Sequence, residues 1–167
     1  MMYVVDMLHW TTLQAGLTIS LCGIFAVGLL CSFPWLLSIV DDVDLIMVGL
    51  STMVISCLLL DSTVLPQVSN LRCYMALVLM FAIGYPVGHT ALIGVFSKVI
   101  KAGPQGGFLG MFAVAGSLSR IFFPMFSVWF VHNYGYNAAF SFAAVLLAVC
   151  LIYLMLHRKD IRSIISD

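Results

Sequence analysis

Charged residues are scarce in this chain. They make up 8% of its 167 residues, whereas hydrophobic residues make up 63%. Soluble globular proteins carry about 25% charged residues, so this composition excludes a soluble domain and predicts an integral membrane protein. The long apolar runs also contain no Asp or Glu. An enzyme that works inside the membrane needs a nucleophile or paired carboxylates there, so we predict that the chain is not an enzyme.

Clustered ligands and disulfide patterns are also lacking. The five cysteines stand one by one, and an odd number without paired spacing argues against a disulfide framework. The four histidines never lie four residues apart or in a cluster with cysteine, so we predict no metal site. No glycine-rich phosphate loop occurs after a strand-like segment. We therefore predict no cofactor and no nucleic-acid partner, and the lipid bilayer is the first partner that the composition implies.

Long apolar runs are what the chain does contain. A bilayer core of about 30 Å needs about 20 mostly apolar residues per helix, and five runs come near or above that length. A barrel strand would instead alternate apolar and polar residues over about ten positions. We predict an all-α, polytopic membrane helical bundle of five transmembrane helices. They form a single transmembrane domain over residues 1–167, with helices at 13–40, 43–60, 71–97, 106–131 and 138–156.

The basic residues predict the orientation of these helices. Lys and Arg near the ends of spans stay in the cytoplasm, whereas acidic residues count for little. The tail after residue 156 carries three basic residues, and Lys98 and Lys101 lie on the same side, two crossings earlier. The opposite side has only Arg72. We therefore predict a cytoplasmic tail. Residues 3–8 read like the end of an earlier helix, so we also expect the chain to be an incomplete carboxy-terminal half.

Arg120 is the candidate functional residue with the clearest physical case. It lies near the middle of the otherwise uncharged run from Phe108 to His132. A guanidinium at a helix centre costs roughly 2.5 to 3.5 kcal/mol on insertion scales. Roughly 18 to 21 Å of helix separate it from either end, too far for the side chain to snorkel. We expect Arg120 to meet water, a carboxylate from another segment or an anionic substrate, and the sequence leaves these alternatives open.

Small residues share the face of Arg120. At about 100° per residue, Gly106, Gly110, Ala113 and Ser117 point within about 40° of one direction together with Arg120, and Pro124 returns to that direction. Small residues allow a neighbouring helix to approach closely in a membrane, so this face is either a packing seam alone or a seam beside a site. The predicted hinge or packing residues of this run are Gly106, Gly110, Gly116, Ser117 and Pro124.

A second group of candidates surrounds Pro86. Proline lacks a backbone N–H and clashes with the carbonyl of residue 82, so we predict a kink there. Gly84 and Gly88 flank Pro86 and form a GxxxG pair, which predicts close packing at the kink. Tyr85 and His89 are four residues apart and share a different face, where they are candidates to line a cavity and bind substrate. The alternatives are a kink that only serves packing and a histidine bound to a backbone or hydroxyl group.

The order of these residues resembles a known family. The block Gly84-Tyr85-Pro86, Ser97-Lys98, Gly103-Pro104-Gln105-Gly106, Gly110, Gly116-Ser117, Arg120-Ile121 and Pro124 is similar to the tenth and eleventh helices of the major facilitator superfamily. It looks most like the lysosomal ceroid-lipofuscinosis-type subgroup of that family. By this likeness the five spans are similar to helices eight to twelve of a twelve-helix carrier, which implies a partial major facilitator fold.

The resemblance implies a secondary carrier that moves a small, possibly anionic solute by alternating access, with this chain as the carboxy-terminal bundle. Arg120 would then face the central cavity, and Tyr85 and His89 would line it. An endolysosomal membrane is implied by resemblance only. Two other readings stay open: a truncated, non-transporting subunit that assembles through its small-residue seams, and an anion-channel-like pore. The expected protein partner is a missing amino-terminal half or a second copy of the chain.

Overall fold

Every regular element in the part of the chain that the structure describes is a helix. The computed structural model describes residues 9–62, 69–99 and 105–166, and no strand occurs within these ranges. Four of the helices are long and apolar enough to cross a membrane. The prediction of an all-α membrane bundle is therefore confirmed. The predicted helix end at residues 3–8, the Gly103-Pro104 motif and most of the connection between Asp61 and Asn70 lie outside the described residues.

The first predicted helix is shorter than expected. Helix α1, Thr12–Cys31, begins at a capping box in which the Thr11 hydroxyl accepts from the Gln14 N–H and the Gln14 side chain accepts from the Thr11 N–H. The predicted continuation to residue 40 is wrong, because α1 ends at Cys31 and a separate short helix α2, Phe33–Leu37, follows. Pro34 explains the break, since it has no N–H to offer the carbonyl four residues earlier.

Helix α3, Asp42–Leu60, is the central element of the bundle. It contacts the later helices along its length. Its last turn leaves carbonyl groups without helical partners, and Arg72 supplies donors for them. The Arg72 Nε–H donates to the Leu59 carbonyl, and Nη2 donates to the Asp61 carbonyl at 2.7 Å. A cation at the carboxy-terminal end of a helix also complements the helix dipole.

The third span changes helix type before Pro86. It consists of α4, Asn70–Leu77, a π-helical segment, Val78–Gly84, and α5, Tyr85–Val99. The Tyr85 N–H bonds the Met80 carbonyl five residues earlier. The sequence predicts only a kink at Pro86, and the structure widens the preceding turns instead. Pro86 has no backbone N–H to donate. One backbone hydrogen bond is therefore already missing at the point where the chain changes from π-helical to α-helical hydrogen bonding.

The last long helix is a hairpin. Helix α6, Gln105–Leu156, contains Gly135 with φ 83° and ψ 170°, outside the helical region. The ring centroids of Phe126 and Phe142 lie 6.1 Å apart and those of Phe130 and Phe142 lie 5.2 Å apart. Sixteen residues of straight helix would separate Phe126 from Phe142 by about 24 Å. The chain therefore turns back at Gly135, which gives a first arm (105–134) and a second arm (136–156), each long enough to span a bilayer.

Two buried clusters hold the helices together. One contains Trp10, Ala15, Leu60, Cys73, Ala76 and Leu77, and the other contains Phe33, Leu45, Ile46, Val87 and Ala91. The second arm of α6 packs against them through Tyr136, Phe140 and Leu154, whereas the residues of the first arm are mostly exposed. The bundle thus has a packed side around α3 and an open side along the first arm. A short helix α7, Arg158–Ser166, ends the described chain.

Candidate functional site

The predicted glycine pair beside Pro86 lies against a third glycine. A Cβ added to Gly49 of α3 would fall 2.6 Å from the Gly88 Cα and 2.9 Å from the Gly84 carbonyl oxygen. Real Cβ atoms do not approach backbone atoms so closely, so the two helices are in backbone contact here. Gly84 and Pro86 are buried. We call this contact of Gly49, Gly84 and Gly88 the glycine seam.

His89 lies beside the glycine seam, between two aromatic rings. Its ring stacks on Tyr85 at a centroid distance of 5.3 Å and an interplanar angle of 9°. It also stacks on Phe112 of the first arm at 6.3 Å and 23°. Phe112 in turn contacts Phe96 at 5.2 Å. The structure thus brings Tyr85 and His89 together, as their spacing predicts, and adds Phe112, which no sequence signal singled out.

Arg120 lies at the middle of the first arm. Residues 105–134 form 30 residues of helix, and Arg120 is about 22 Å from each end. Its side chain is exposed. Across the described ranges it makes no hydrogen bond and no ion pair. It is also absent from the ring contacts around His89, so the described structure does not join the three predicted substrate-binding residues into one contact set.

The small residues of the first arm lie on the open side of the bundle. A Cβ built at Gly106, Gly110 or Gly116 would meet nothing within 4 Å in the described structure. The Ser117 hydroxyl donates to the Ala113 carbonyl of its own helix. Pro124 is exposed in the second half of the arm. The face that carries Gly106, Gly110, Ser117 and Arg120 is therefore uncovered by the helices described, unlike the glycine seam.

Acidic and basic side chains gather at one end of the bundle, which we call the basic end. Arg158 and Arg162 donate to Asp44 at 2.7 and 2.8 Å, and Arg162 also pairs with Asp41 at 2.5 Å. A separate pair joins Lys98 of α5 to Asp42, whose side chain is nearly buried. The acidic residues at the start of α3 are thus the counter-charge of the basic tail. Acidic residues had little weight in the sequence-based expectations, which did not identify this pairing.

A second polar cluster closes the opposite end of α3, which we call the Asp61 end. Asp61 is 1% exposed, and its carboxylate accepts a hydrogen bond from the Ser141 hydroxyl of the second arm. Beside it, the Ser62 hydroxyl donates to the Asn137 side chain at 2.7 Å. The sequence placed Asp61 only at a span boundary. The sequence did contain one signal for this cluster. Asp61 directly follows an apolar run, and a carboxylate that is buried needs a hydrogen-bonding partner.

Comparison with known proteins agrees with this architecture. The family model described as Major Facilitator Superfamily matches residues 1–164. The chain belongs to the major facilitator superfamily. It is 28% identical over 87 residues to "Major facilitator superfamily domain-containing protein 8" of Xenopus laevis. That match covers 52% of this chain and 17% of the relative. No solved structure matches the chain.

Membership of the major facilitator superfamily confirms the resemblance read from the ordered block between Gly84 and Pro124. It identifies the chain as an integral membrane protein of a transporter superfamily, with the lipid bilayer around it. The match reaches less than two thirds of the length of the relative. The activity of a whole carrier is therefore taken up below as a proposal.

Proposed function

We propose that this chain is the carboxy-terminal bundle of a secondary carrier that moves a small anionic solute across a membrane by alternating access. The second wall of the carrier would come from an amino-terminal half or from another copy of the chain. Energy would come from a solute or ion gradient, since the chain has no phosphate-binding loop. Arg120, Tyr85 and His89 would bind the solute.

Arg120 is the observation that supports this proposal most directly. An exposed guanidinium at the centre of a membrane-spanning arm costs roughly 2.5 to 3.5 kcal/mol on insertion scales. No described residue pairs with it. Such a charge persists where it faces a water-filled cavity or binds an anion, and both conditions are those of a transport site. A purely structural arginine would instead be paired, as Arg158 and Arg162 are.

The residues near Pro86 would supply the moving part of the site. The π-helical segment, Pro86 and the glycine seam occur within three turns, and Tyr85 and His89 are on the same stretch. Interrupted helices near the middle of a membrane are where carriers place binding sites. A change at this stretch would therefore alter both the position of the Tyr85 and His89 rings and the contact of α5 with α3.

Transport by liposomes that contain the full chain tests the proposal. Uptake of radiolabelled chloride, gluconate and succinate would be measured against concentration, with glucose as the neutral comparison. We expect saturable anion uptake that is lost in Arg120→Ala and partly kept in Arg120→Lys. Ser119→Ala is the matched control, because its hydroxyl donates only to Gly116 of the same helix. Wild-type uptake by an inserted Arg120→Ala protein would contradict the role of Arg120. Uptake that rises without saturation would favour a pore.

The uncovered face of the first arm favours a second candidate function, that of an assembly subunit. Gly106 and Gly110 on this face lack a neighbour in the described structure, and such residues drive helix association in membranes. Crosslinking in membranes through a cysteine introduced at Ala113 would detect a partner on this face. A dimer or a heteromeric complex without uptake would favour the subunit. A strict monomer would contradict the subunit, and it would also contradict transport by this chain without an amino-terminal half. We also propose that the carrier lies in an endolysosomal membrane. Microscopy of the tagged chain beside a lysosomal marker would test this location.

A further inference from the structure

Two neighbouring cavities lie between the first and second arms of α6, close to the hairpin turn. Their volumes are about 270 Å³ and about 460 Å³. They share four lining residues, Phe123 and Phe126 of the first arm and Phe142 and Leu146 of the second arm. The two cavities are therefore parts of one groove, which we call the hairpin groove. Among its lining residues only Ser127 has a polar side chain.

The hairpin groove exists because large rings on one arm face small side chains on the other. The ring of Phe142 lies 6.1 Å from that of Phe126 and 5.2 Å from that of Phe130, and these contacts join the two arms. Beside the three rings the second arm presents Ala139 and Ala143. A methyl group does not fill the space that a phenyl ring opens between two helices. The arms therefore meet at Phe142 and stay apart beside it.

The chemistry of the hairpin groove selects an apolar occupant. Water needs polar partners, so a cavity lined by apolar groups stays dry. An empty gap is also unfavourable, because the atoms that line it lose their dispersion contacts. An engineered apolar cavity of about 150 Å³ binds benzene, and each of the two cavities here is larger. A hydrocarbon ligand therefore fits this groove better than water or empty space.

The position of the hairpin groove along the membrane favours an acyl chain as this ligand. Its lining residues on the first arm run from Phe122 to Phe130, which is about 12 Å of helix. The hydrocarbon layer of one leaflet is about 15 Å thick, half of the bilayer core. Near the turn, Trp129 and Tyr134 are more than half exposed, as aromatic residues at a membrane–water interface are. The groove thus runs along one leaflet, with one end near the headgroups.

The hairpin groove is separate from the residues proposed to bind the solute. Phe123, Phe126 and Phe130 lie about 60 to 120° around the first arm from Arg120. Phe112, the ring of the first arm that contacts His89, is not among the residues that line the groove. A ligand in the groove would therefore leave the face of Arg120 open.

We propose that the hairpin groove binds an acyl chain of a phospholipid, and that this chain forms part of the packing between the two arms. The phospholipid belongs to the leaflet at the Asp61 end, because Asn137, just after the turn, accepts a hydrogen bond from Ser62 there. The described hydrogen bonds of the first arm stay within its own helix, so apolar contacts determine its position. The bound chain adds such contacts where Ala139 and Ala143 leave a gap.

Retention of lipid by the full chain tests the proposal. The protein would be moved from phosphatidylcholine liposomes into detergent, and native mass spectrometry would count the lipid molecules that stay bound. Ala143→Phe places a ring in the groove, whereas Val145→Phe, the matched control, places a ring at an exposed position outside it. We expect the wild type and Val145→Phe to retain phosphatidylcholine and Ala143→Phe to lose it. Equal retention by Ala143→Phe and the wild type, including none by either, would overturn the proposal.

Photolabelling of the unaltered chain gives a second test that does not depend on the folding of a variant. Phosphatidylcholine with a diazirine near the middle of one acyl chain would be photolysed in liposomes that contain the protein. Mass spectrometry would then locate the labels. We expect them on Phe123, Phe126 and Phe142 in preference to Val128 and Val145, which are exposed but outside the groove. Labels spread evenly over these five residues would overturn the proposal.

The same retention assay separates an acyl chain from other occupants. We expect phosphatidylglycerol to be retained as well as phosphatidylcholine, because the groove contacts the chain and not the headgroup. Retention of only one of these two lipids would overturn the assignment to the acyl chain, and so would retention of cholesterol in place of both. A dimer that forms in the wild type and is lost in Ala143→Phe would mean that a second copy fills the groove, which would also overturn the proposal.

Discussion

Replacement of Gly49 by alanine gives the sharpest prediction that the structure allows. The new Cβ would lie 2.6 Å from the Gly88 Cα, 2.7 Å from the Gly88 nitrogen and 2.9 Å from the Gly84 carbonyl oxygen. All three are backbone atoms, so no side chain can rotate out of the way. Ordinary carbon contacts begin at about 3.5 Å, so α3 and α5 would have to separate by about 1 Å at this point.

The cost of that separation follows from packing. Overpacking typically destabilises by about 1 to 3 kcal/mol. A gap of about 0.5 to 1 Å also forfeits a quarter to a half of the dispersion attraction along the contact. Alanine recovers up to about 1 kcal/mol of helix propensity relative to glycine, so the penalty outweighs this gain. We expect Gly49→Ala to lower the free energy of unfolding by about 1 to 3 kcal/mol.

The same seam supplies matched controls for Gly49. A Cβ on Gly88 would lie 3.5 Å from the Gly49 Cα, an ordinary contact, and a Cβ on Gly16 would meet nothing within 4 Å. The three alanine variants would be unfolded by sodium dodecyl sulfate in mixed micelles, and their unfolding free energies compared. We expect Gly88→Ala and Gly16→Ala to be as stable as the wild type or up to about 1 kcal/mol more stable, because alanine has the higher helix propensity. A Gly49→Ala protein within about 0.5 kcal/mol of these controls would refute the close approach of α3 and α5.

Three further substitutions test other parts of the fold by the same unfolding assay. Gly135→Ala should lower the free energy of unfolding by about 1 to 3 kcal/mol, because φ 83° with ψ 170° is a conformation nearly restricted to glycine. Gly116→Ala, at a helical position with open space around it, is the control. Equal stability of the two variants would contradict the hairpin turn. Asp61→Ala should cost about 1 to 3 kcal/mol, since the Ser141 hydroxyl loses its acceptor at a buried site. Asp61→Asn, which can still accept from Ser141, should cost less, and equal losses would argue against that hydrogen bond. Asp44→Asn should cost only about 1 kcal/mol, because its arginine partners are about 40% exposed. That loss should vanish in high salt, and a salt-independent loss would contradict the ion-pair explanation.

The features of the fold that hydropathy along the chain reports are those that could be predicted from the sequence. Five apolar runs predict five spans, and the structure has four long apolar helices of which the last folds back at Gly135. Hydropathy alone locates this turn, because the residues around it, from His132 to Asn137, are polar or aromatic. The end of α1 is different. Pro34 lies in an apolar run, so hydropathy continued the helix past it, whereas the missing N–H ends it at Cys31.

Contacts between distant residues could not be predicted in the same way. The glycine pair near Pro86 indicates close packing, but nothing in the sequence identifies Gly49, 35 residues before Gly84, as its partner. Phe112 likewise looks like any aromatic residue of a membrane helix, and only its distance of 6.3 Å from His89 gives it a role. A single sequence reports which faces are small or aromatic. Which faces meet depends on the packing of the whole bundle.

Polar contacts between helices are unevenly distributed in the described bundle: they hold α3 and the second arm, but not the first arm. Helix α3 is tied at the basic end through Asp42 and Asp44, and at the Asp61 end to Arg72 and Ser141. The second arm shares these ties through Ser141, whereas the first arm has no described hydrogen bond or ion pair to another helix. Its described attachments are ring contacts and the turn at Gly135. The first arm, which carries Arg120, is thus held by non-directional ring contacts. Helix α3 and the segments bonded to it are held by hydrogen bonds and ion pairs. Movement of the first arm past His89 would change the distance between Arg120 and His89, which are both proposed to bind the solute, without breaking any described polar contact of α3.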